Sequence, residues 1–325
     1  MRILMWHVHG SWTTSFVQGS HEYLLPVTPD RDANGLGRAR TWVWPGSVTE
    51  VPVGELRRTD VDLVVLQRPH ELGLVEQWTG RRAGCDVPAV YVEHNTPGGD
   101  VPRSRHPLAD QRSIPVVHVT HFNRLMWDCG EAPTSVIEHG VVDPGHRYSG
   151  EIARAAVAVN DPVRRGRAVG TDLLPGLAER VPLDVFGMRV EPLREHLRID
   201  GDRLRTFEDL PQSRLHAELA RRSVYVHTAR WTSLGLSLLE AMHLGMPVVA
   251  LAATEAARAV PDGAGVVTAD PDALVSATRA FLADPELARA TGRRAREAAL
   301  ARYGLARFLA EWDVVLGRRD ELVTR

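Results

Sequence analysis

Lysine is absent from these 325 residues; all 39 basic side chains other than histidine are arginine. Any anion the chain binds must therefore be met by Arg, His or backbone N–H. The bias itself reflects nucleotide composition more than chemistry. Cysteine is nearly as scarce. Cys85 and Cys129 are the two present, too few for a disulfide framework or a cysteine metal cluster, which is the usage expected of a reducing cytoplasm. No apolar run approaches the roughly 18 residues of a membrane span. Residues 1–5 enter a strand-like pattern directly, without the apolar stretch of a secretion signal. An excess of one charge is missing too. The net value is −2 and the pI ≈ 6.7, so no basic field invites nucleic acid. The expected setting is the cytoplasm, with peripheral contact at a membrane surface left open.

What is present is enough chain for two domains, each able to bury its own core. Strand and helix patterns alternate along it, which is the mark of α/β layers. Strands are expected at 2–7, 61–67, 89–93, 116–120 and 135–138 in a first sheet. A second sheet is expected from 155–159, 182–186, 203–206, 224–228, 248–251 and 265–267. Helices follow at 271–283, 285–302 and 305–316. The Gly/Pro-containing stretch 142–149 leads to a linker at 150–153. The expected domains are thus 1–150, 151–304 and a C-terminal helical segment 305–325. The apolar face formed by Phe308, Leu309, Trp312, Val315 and Leu316 suits a return to the first domain or packing on the second.

Residues 233–251, SLGLSLLEAMHLGMPVVAL, hold the densest information. A buried strand, a loop, a helix and a second buried strand succeed one another, with a turn at Met246-Pro247. Parallel sheets use such units to bring a strand's carboxyl end and a helix amino terminus to a ligand. Glu240 lies about one turn into the helix, where a carboxylate can accept paired ribose hydroxyls while helix N–H groups face a phosphate. A plain helix glutamate complementing the macrodipole is the other reading.

The wording of this segment resembles the signature of GT-B glycosyltransferases of the large retaining family 4, a phrase with two glutamates eight positions apart. Thr228, Ala229, Arg230, Trp231, Thr232, Ser233, Leu234, Gly235, Leu236 and Glu240 fall on it in order. The second glutamate matches Glu240, and the first falls on Thr232. The resemblance implies that Glu240 holds the ribose of a sugar-nucleotide donor, with Thr232, Ser233, Leu234, Gly235 and Leu236 around it. It also implies two Rossmann-like doubly wound domains facing a central cleft.

The same family has an arginine and a lysine that hold the donor diphosphate in a loop after the second domain's first strand. Here that loop reads Asn160-Asp161-Pro162-Val163-Arg164-Arg165-Gly166-Arg167. Arg165 is the expected clamp, with Arg164 and Arg167 as alternatives and a solvated basic loop as the plain reading. Fixed donors in a partly dry site offset charge developing on a leaving diphosphate. Gly187 resembles the glycine closing the next strand, and Phe207 and Leu210 lie in the loop expected along the nucleobase. In the first domain, Gly10 stands where relatives have a glycine loop near the diphosphate. His94 stands where many place a histidine near the transferred sugar; a core or surface histidine is the alternative. Glu138-His139-Gly140 partly matches the phrase that ends the family's first domain. His118 and His121 have the spacing of a metal pair without a third ligand, and such transferases generally need no metal.

The resemblance implies an enzyme that moves a sugar from a nucleotide sugar to an acceptor hydroxyl with retention of configuration. It uses no cofactor beyond that co-substrate, and the acceptor is a saccharide, a lipid or a small metabolite. His94, Arg165 and Glu240 are the expected catalytic residues. The alternatives are a non-catalytic sugar-nucleotide-binding subunit, or an epimerase or hydrolase of the same fold.

Overall fold

The structure, a computed structural model, describes residues 1–317. The chain divides into two compact units. One comprises Met1–Val142 and the segment from Leu305 onward, and the other Asp143–Gly304. Residues 318–325 of the expected C-terminal segment lie outside the described residues.

The first unit contains β1 (Arg2–Met5), β2 (Glu22–Val27), β3 (Val48–Pro52), β4 (Leu63–Leu66), β5 (Ala89–Glu93), β6 (Val116–His118) and β7 (Thr134–Val136). They form one parallel sheet in the order β3-β2-β1-β4-β5-β6-β7. Helices cover both faces of such a sheet, so its central strands read as unbroken apolar runs. The LVVL of β4 and the AVYVE of β5 are buried at every position. Strands β2 and β3 were not among those expected. Pro26 sits inside β2, and β3 is an edge strand buried only at Val48 and Val51. Proline and a half-exposed edge both obscure a buried parallel strand.

The second unit contains β8 (Ile152–Ala158), β9 (Leu183–Gly187), β10 (Leu204–Glu208), β11 (Arg222–His227), β12 (Val248–Leu251) and β13 (Gly265–Thr268). Its parallel order is β10-β9-β8-β11-β12-β13. One face packs Val157, Leu183, Val185, Val226 and Val249 against Leu274 and Phe281 of the Pro271–Ala283 helix. Asp184 is fully buried and joins Arg154 and Arg222, the latter at 2.8 Å. A buried carboxylate survives only with such partners. Residues leading into β8 are already docked in this unit: the N–H groups of Arg147 and Tyr148 each donate to Leu244 O at 3.0 Å.

The helix Leu305–Gly317 completes the first unit. Its Trp312 meets Trp12 at 5.8 Å and Phe16 at 5.1 Å, both edge-on. Such pairs contribute about 0.5–1.5 kcal/mol each beyond burial. Arg307 of the same helix donates to the carbonyls of Glu138 and His139 at 2.9 and 2.7 Å. Gly140 lies where a Cβ would run into the Phe308 ring, so close packing requires glycine there.

Candidate donor site in the second unit

In doubly wound sheets, ligands collect at the carboxyl ends of the two strands between which the connections reverse direction. In the second unit these are β8 and β11. The loops that leave them are fastened to one another. Thr228 Oγ1 donates to Val169 O at 2.8 Å. The N–H groups of Arg230 and Trp231 share Ala168 O at 2.9 and 3.0 Å. Gly170 adopts φ +79°, and a side chain there would strike the Thr228 carbonyl. The arginine loop and residues 228–231 are therefore one piece of scaffold.

The three arginines in that loop are not equivalent. Arg164 pairs with Asp161, and Arg167 with Asp172 at 2.8 Å, with side chains 71% and 78% exposed. Arg230 also reaches Asp172, at 3.1 Å. Arg165 is half-buried and has no ion pair among the described residues. Burial, with Arg164 adding to it and Asp161 opposing, lowers its pKa from the usual guanidinium value. A half-dry cation with no carboxylate in direct contact is prepared for an anion from outside.

The helix Leu236–Leu244 starts beside this scaffold. Gly235 caps it without a side chain, leaving the first N–H groups to water or an anion. A Cβ at Gly235 would come within 2.5 Å of the His227 ring. Burial holds that imidazole neutral, with its pKa lowered to about 4. Ser233 and Leu234 are buried, Leu236 is half-buried, and Thr232 keeps a buried Oγ1 with no hydrogen-bond partner. Glu240, fifth in the helix and 4% exposed, is met by Gln212 and His216 of the Gln212–Ala220 helix.

Gly187 closes β9 at φ +142°, pressed against the Val159 carbonyl, a place only glycine can fill. Phe207 stacks on Phe186 at 4.6 Å, with the Arg222 guanidinium over both rings at 4.9 and 5.0 Å. Leu210 is half-buried in the loop between β10 and Gln212. Sequence reasoning missed Gln212, His216, Asp172 and His227. The first two sit four apart, one turn of a helix, which is a signal only once the helix's inward face is known.

In the first unit, His94 follows β5 and His9 follows β1, their rings 4.0 Å apart. His94 is buried, with its Nε2 unpartnered, and its pKa is pushed well below the ordinary value by burial and then by His9 and His139. His139 is likewise held neutral, at about 3, with neither ring nitrogen bonded. Gly10 begins the Gly10–Phe16 helix, and a Cβ there would sit 3.1 Å from the Trp42 ring. His118 contacts Cys129 Sγ at 3.5 Å. Among the described residues no three His, Cys, Asp or Glu side chains converge in a metal-binding arrangement. No helix among them is long and apolar enough to cross a membrane.

Residues 191–298 match the family model of group 1 glycosyl transferases. That stretch runs from the approach to β10, through the loop after it and Glu240, into the Pro285–Tyr303 helix. No curated protein matches the chain. Solved structures match in fold. A sucrose-phosphate synthase from Thermosynechococcus elongatus aligns over 98% of both chains, at 15% identity and a TM-score of 0.70. Anabaena HepE in complex with UDP-glucose aligns over 98% of this chain and 100% of its own, at 15% identity and 0.68. AviGT4, a glycosyltransferase involved in avilamycin A biosynthesis, aligns over 98% and 97%, at 18% and 0.63. The two parallel-sheet units have the Rossmann-like fold of GT-B glycosyltransferase structures.

Proposed function

We propose that the chain is a metal-independent hexosyltransferase of the retaining family 4 type, acting in the cytoplasm on a nucleotide-sugar donor. The observation that carries this reading is the fastening of the Arg165 loop to residues 228–231, which lead into the helix bearing Glu240, a helix inside the segment that matches the group 1 family. Arg165 and the helix N–H groups take the diphosphate, Glu240 the ribose, and the loop from Phe207 to Leu210 the base. The family resemblance gives His94, in the first unit, its role toward the transferred sugar. In the reaction the bond from the sugar's anomeric carbon to the donor phosphate breaks. The acceptor oxygen bonds to that carbon from the same face, and its proton passes to the departing phosphate. The protein's share is positioning and charge stabilisation.

HepE is described with UDP-glucose, so UDP is the first nucleotide to screen. A ligand at 100 times its Kd raises stability by about 2.7 kcal/mol, which thermal shift detects. The deciding assay is release of nucleoside diphosphate from UDP-, GDP-, dTDP- and ADP-sugars with and without sugar or lipid acceptors. Acceptor-dependent release supports transfer, and equal release without acceptor points to hydrolysis. Binding without any turnover favours the second reading, a non-catalytic sugar-nucleotide-binding subunit. The observation on its side is Thr232, a short hydroxyl where the resemblance expects a glutamate.

A further inference from the structure

Met188 follows β9 directly and is 48% exposed. The other exposed large apolar side chains described in the second unit, Leu287 and Leu300, lie on the Pro285–Tyr303 helix, so Met188 is the one at the carboxyl edge of the sheet. A lone apolar residue on a surface is ordinary, but this one is held in place from both sides. Its N–H donates to Asn160 Oδ1 at 2.9 Å and its carbonyl accepts from the Asp161 N–H at 2.8 Å, which ties it to the loop leaving β8. The Asp209 N–H donates to Gly187 O at 3.0 Å, and the N–H groups of Arg189, Val190 and Glu191 converge on the Glu208 carboxylate, which ties the same turn to the end of β10. Asp161, Arg189 and Asp209 hold φ of +54°, +57° and +37°. Left-handed backbone outside glycine is costly and collects where function keeps it. The turn is therefore wedged between the Arg165 loop and the Phe207–Leu210 loop, with one apolar side chain held out in water. The polar side chains beside it are engaged. Asn160 Oδ1 takes the Met188 N–H, Asp161 pairs with Arg164 and with Arg189, the latter at 3.3 Å, and Glu208 accepts three backbone N–H groups. Phe207 gives a ring face to Phe186.

We infer that Met188 is a base-binding residue of the donor site: its side chain is the platform on which the nucleobase stacks, and it contributes through stacking area without reading the base's hydrogen-bonding edge. The inference rests on the proposed reading of Arg165 as the diphosphate clamp and of residues 207–210 as the loop along the base. A nucleotide held by both loops crosses the turn fastened between them. A thioether is polarisable, makes favourable contact with aromatic rings and is only a weak hydrogen-bond acceptor. Every base has a π-face to offer it. The contact therefore tolerates any base and grows with the size of the ring.

The test is calorimetric titration of the full chain with UDP, GDP, ADP and inorganic pyrophosphate. Met188→Ser should weaken each nucleoside diphosphate that wild type binds by roughly two- to twelve-fold, while pyrophosphate affinity and the melting temperature stay as they were. Met188→Gln keeps the length of the side chain without its apolar surface and should behave like the serine variant. Met188→Leu keeps that surface and should retain most of the affinity. Unchanged nucleoside diphosphate affinity in the serine and glutamine variants overturns the role of Met188 and leaves the donor site standing. An equal loss for pyrophosphate overturns it as well, because the turn would then be supporting the phosphates. A loss for UDP exceeding that for GDP and ADP overturns stacking area as its basis. Wild type binding nucleoside diphosphates no more tightly than pyrophosphate overturns the base loop and this inference with it. Wild type binding none of the four overturns the donor site itself.

Discussion

Replacing Arg165 with methionine keeps the length of the side chain and removes its charge, and the two consequences should run in opposite directions. In the unliganded protein Arg165 has no ion pair among the described residues to lose, and burial and Arg164 together outweigh the attraction of Asp161 for its charge. Arg165→Met should therefore leave the melting temperature unchanged or raise it. Affinity for a nucleoside diphosphate should fall. A charge-assisted hydrogen bond contributes about 1.5–3 kcal/mol, which is roughly 10- to 150-fold in Kd. Two charges 4 Å apart near a surface interact by at most about 4 kcal/mol, so a much larger loss would mean misfolding. Arg164→Met and Arg167→Met break exposed, solvent-screened pairs with Asp161 and Asp172, and should scarcely change stability or affinity. Titrating each variant with the nucleoside as well as its diphosphate isolates the phosphate contribution. Wild-type affinity of Arg165→Met for the diphosphate refutes the argument, as does an equal loss for the bare nucleoside.

Three further expectations follow from the geometry. Gly235→Ala drives a methyl into the buried His227 ring, a clash of about 1–3 kcal/mol; a melting temperature equal to wild type would contradict it. Burial holds His118, His139 and His227 neutral, at about 4, 3 and 4 against 6.5 in the unfolded chain. With folded values depressed, the unfolded state takes up protons first. The stabilisation is complete above pH 6.5 and is lost as pH falls toward 4, at up to about 1.4 kcal/mol per pH unit for each histidine. Denaturant midpoints equal at pH 7.5 and 5.5 would refute it. Thr232→Glu should shift donor preference toward a common hexose or weaken use of the native donor; identical profiles across one donor panel would mean that position 232 does not read the sugar.

Sequence reasoning reached furthest where the chain folds locally. The phrase from Ser233 to Leu251 is contiguous, and each of its elements stands within a residue or two of where its pattern placed it. The arginine loop was harder. Which of Arg164, Arg165 and Arg167 lacks a carboxylate depends on Asp161 at φ +54° and Gly166 at φ +47°, left-handed turns that composition does not announce. The meeting of His216 with Glu240 joins two helices 24 positions apart, so no spacing rule along either helix reveals it. Strands β2 and β3 escaped because the proline of the first and the exposed positions of the second weaken the signal of a buried run.

The Leu305–Gly317 helix gives the order of synthesis a physical meaning. Trp12 and Phe16 are made before Val142, where the rest of that unit ends, yet their partner Trp312 is made roughly 170 residues after it. At about 5–20 residues per second, a nascent chain holds an incomplete first unit for roughly ten to thirty seconds. Over the same interval residues 143–304 can fold as an uninterrupted insert. The aromatic face awaiting Trp312 is thus the surface on which a growing chain is most open to misassociation, and the last helix acts as the fastening that ends that exposure.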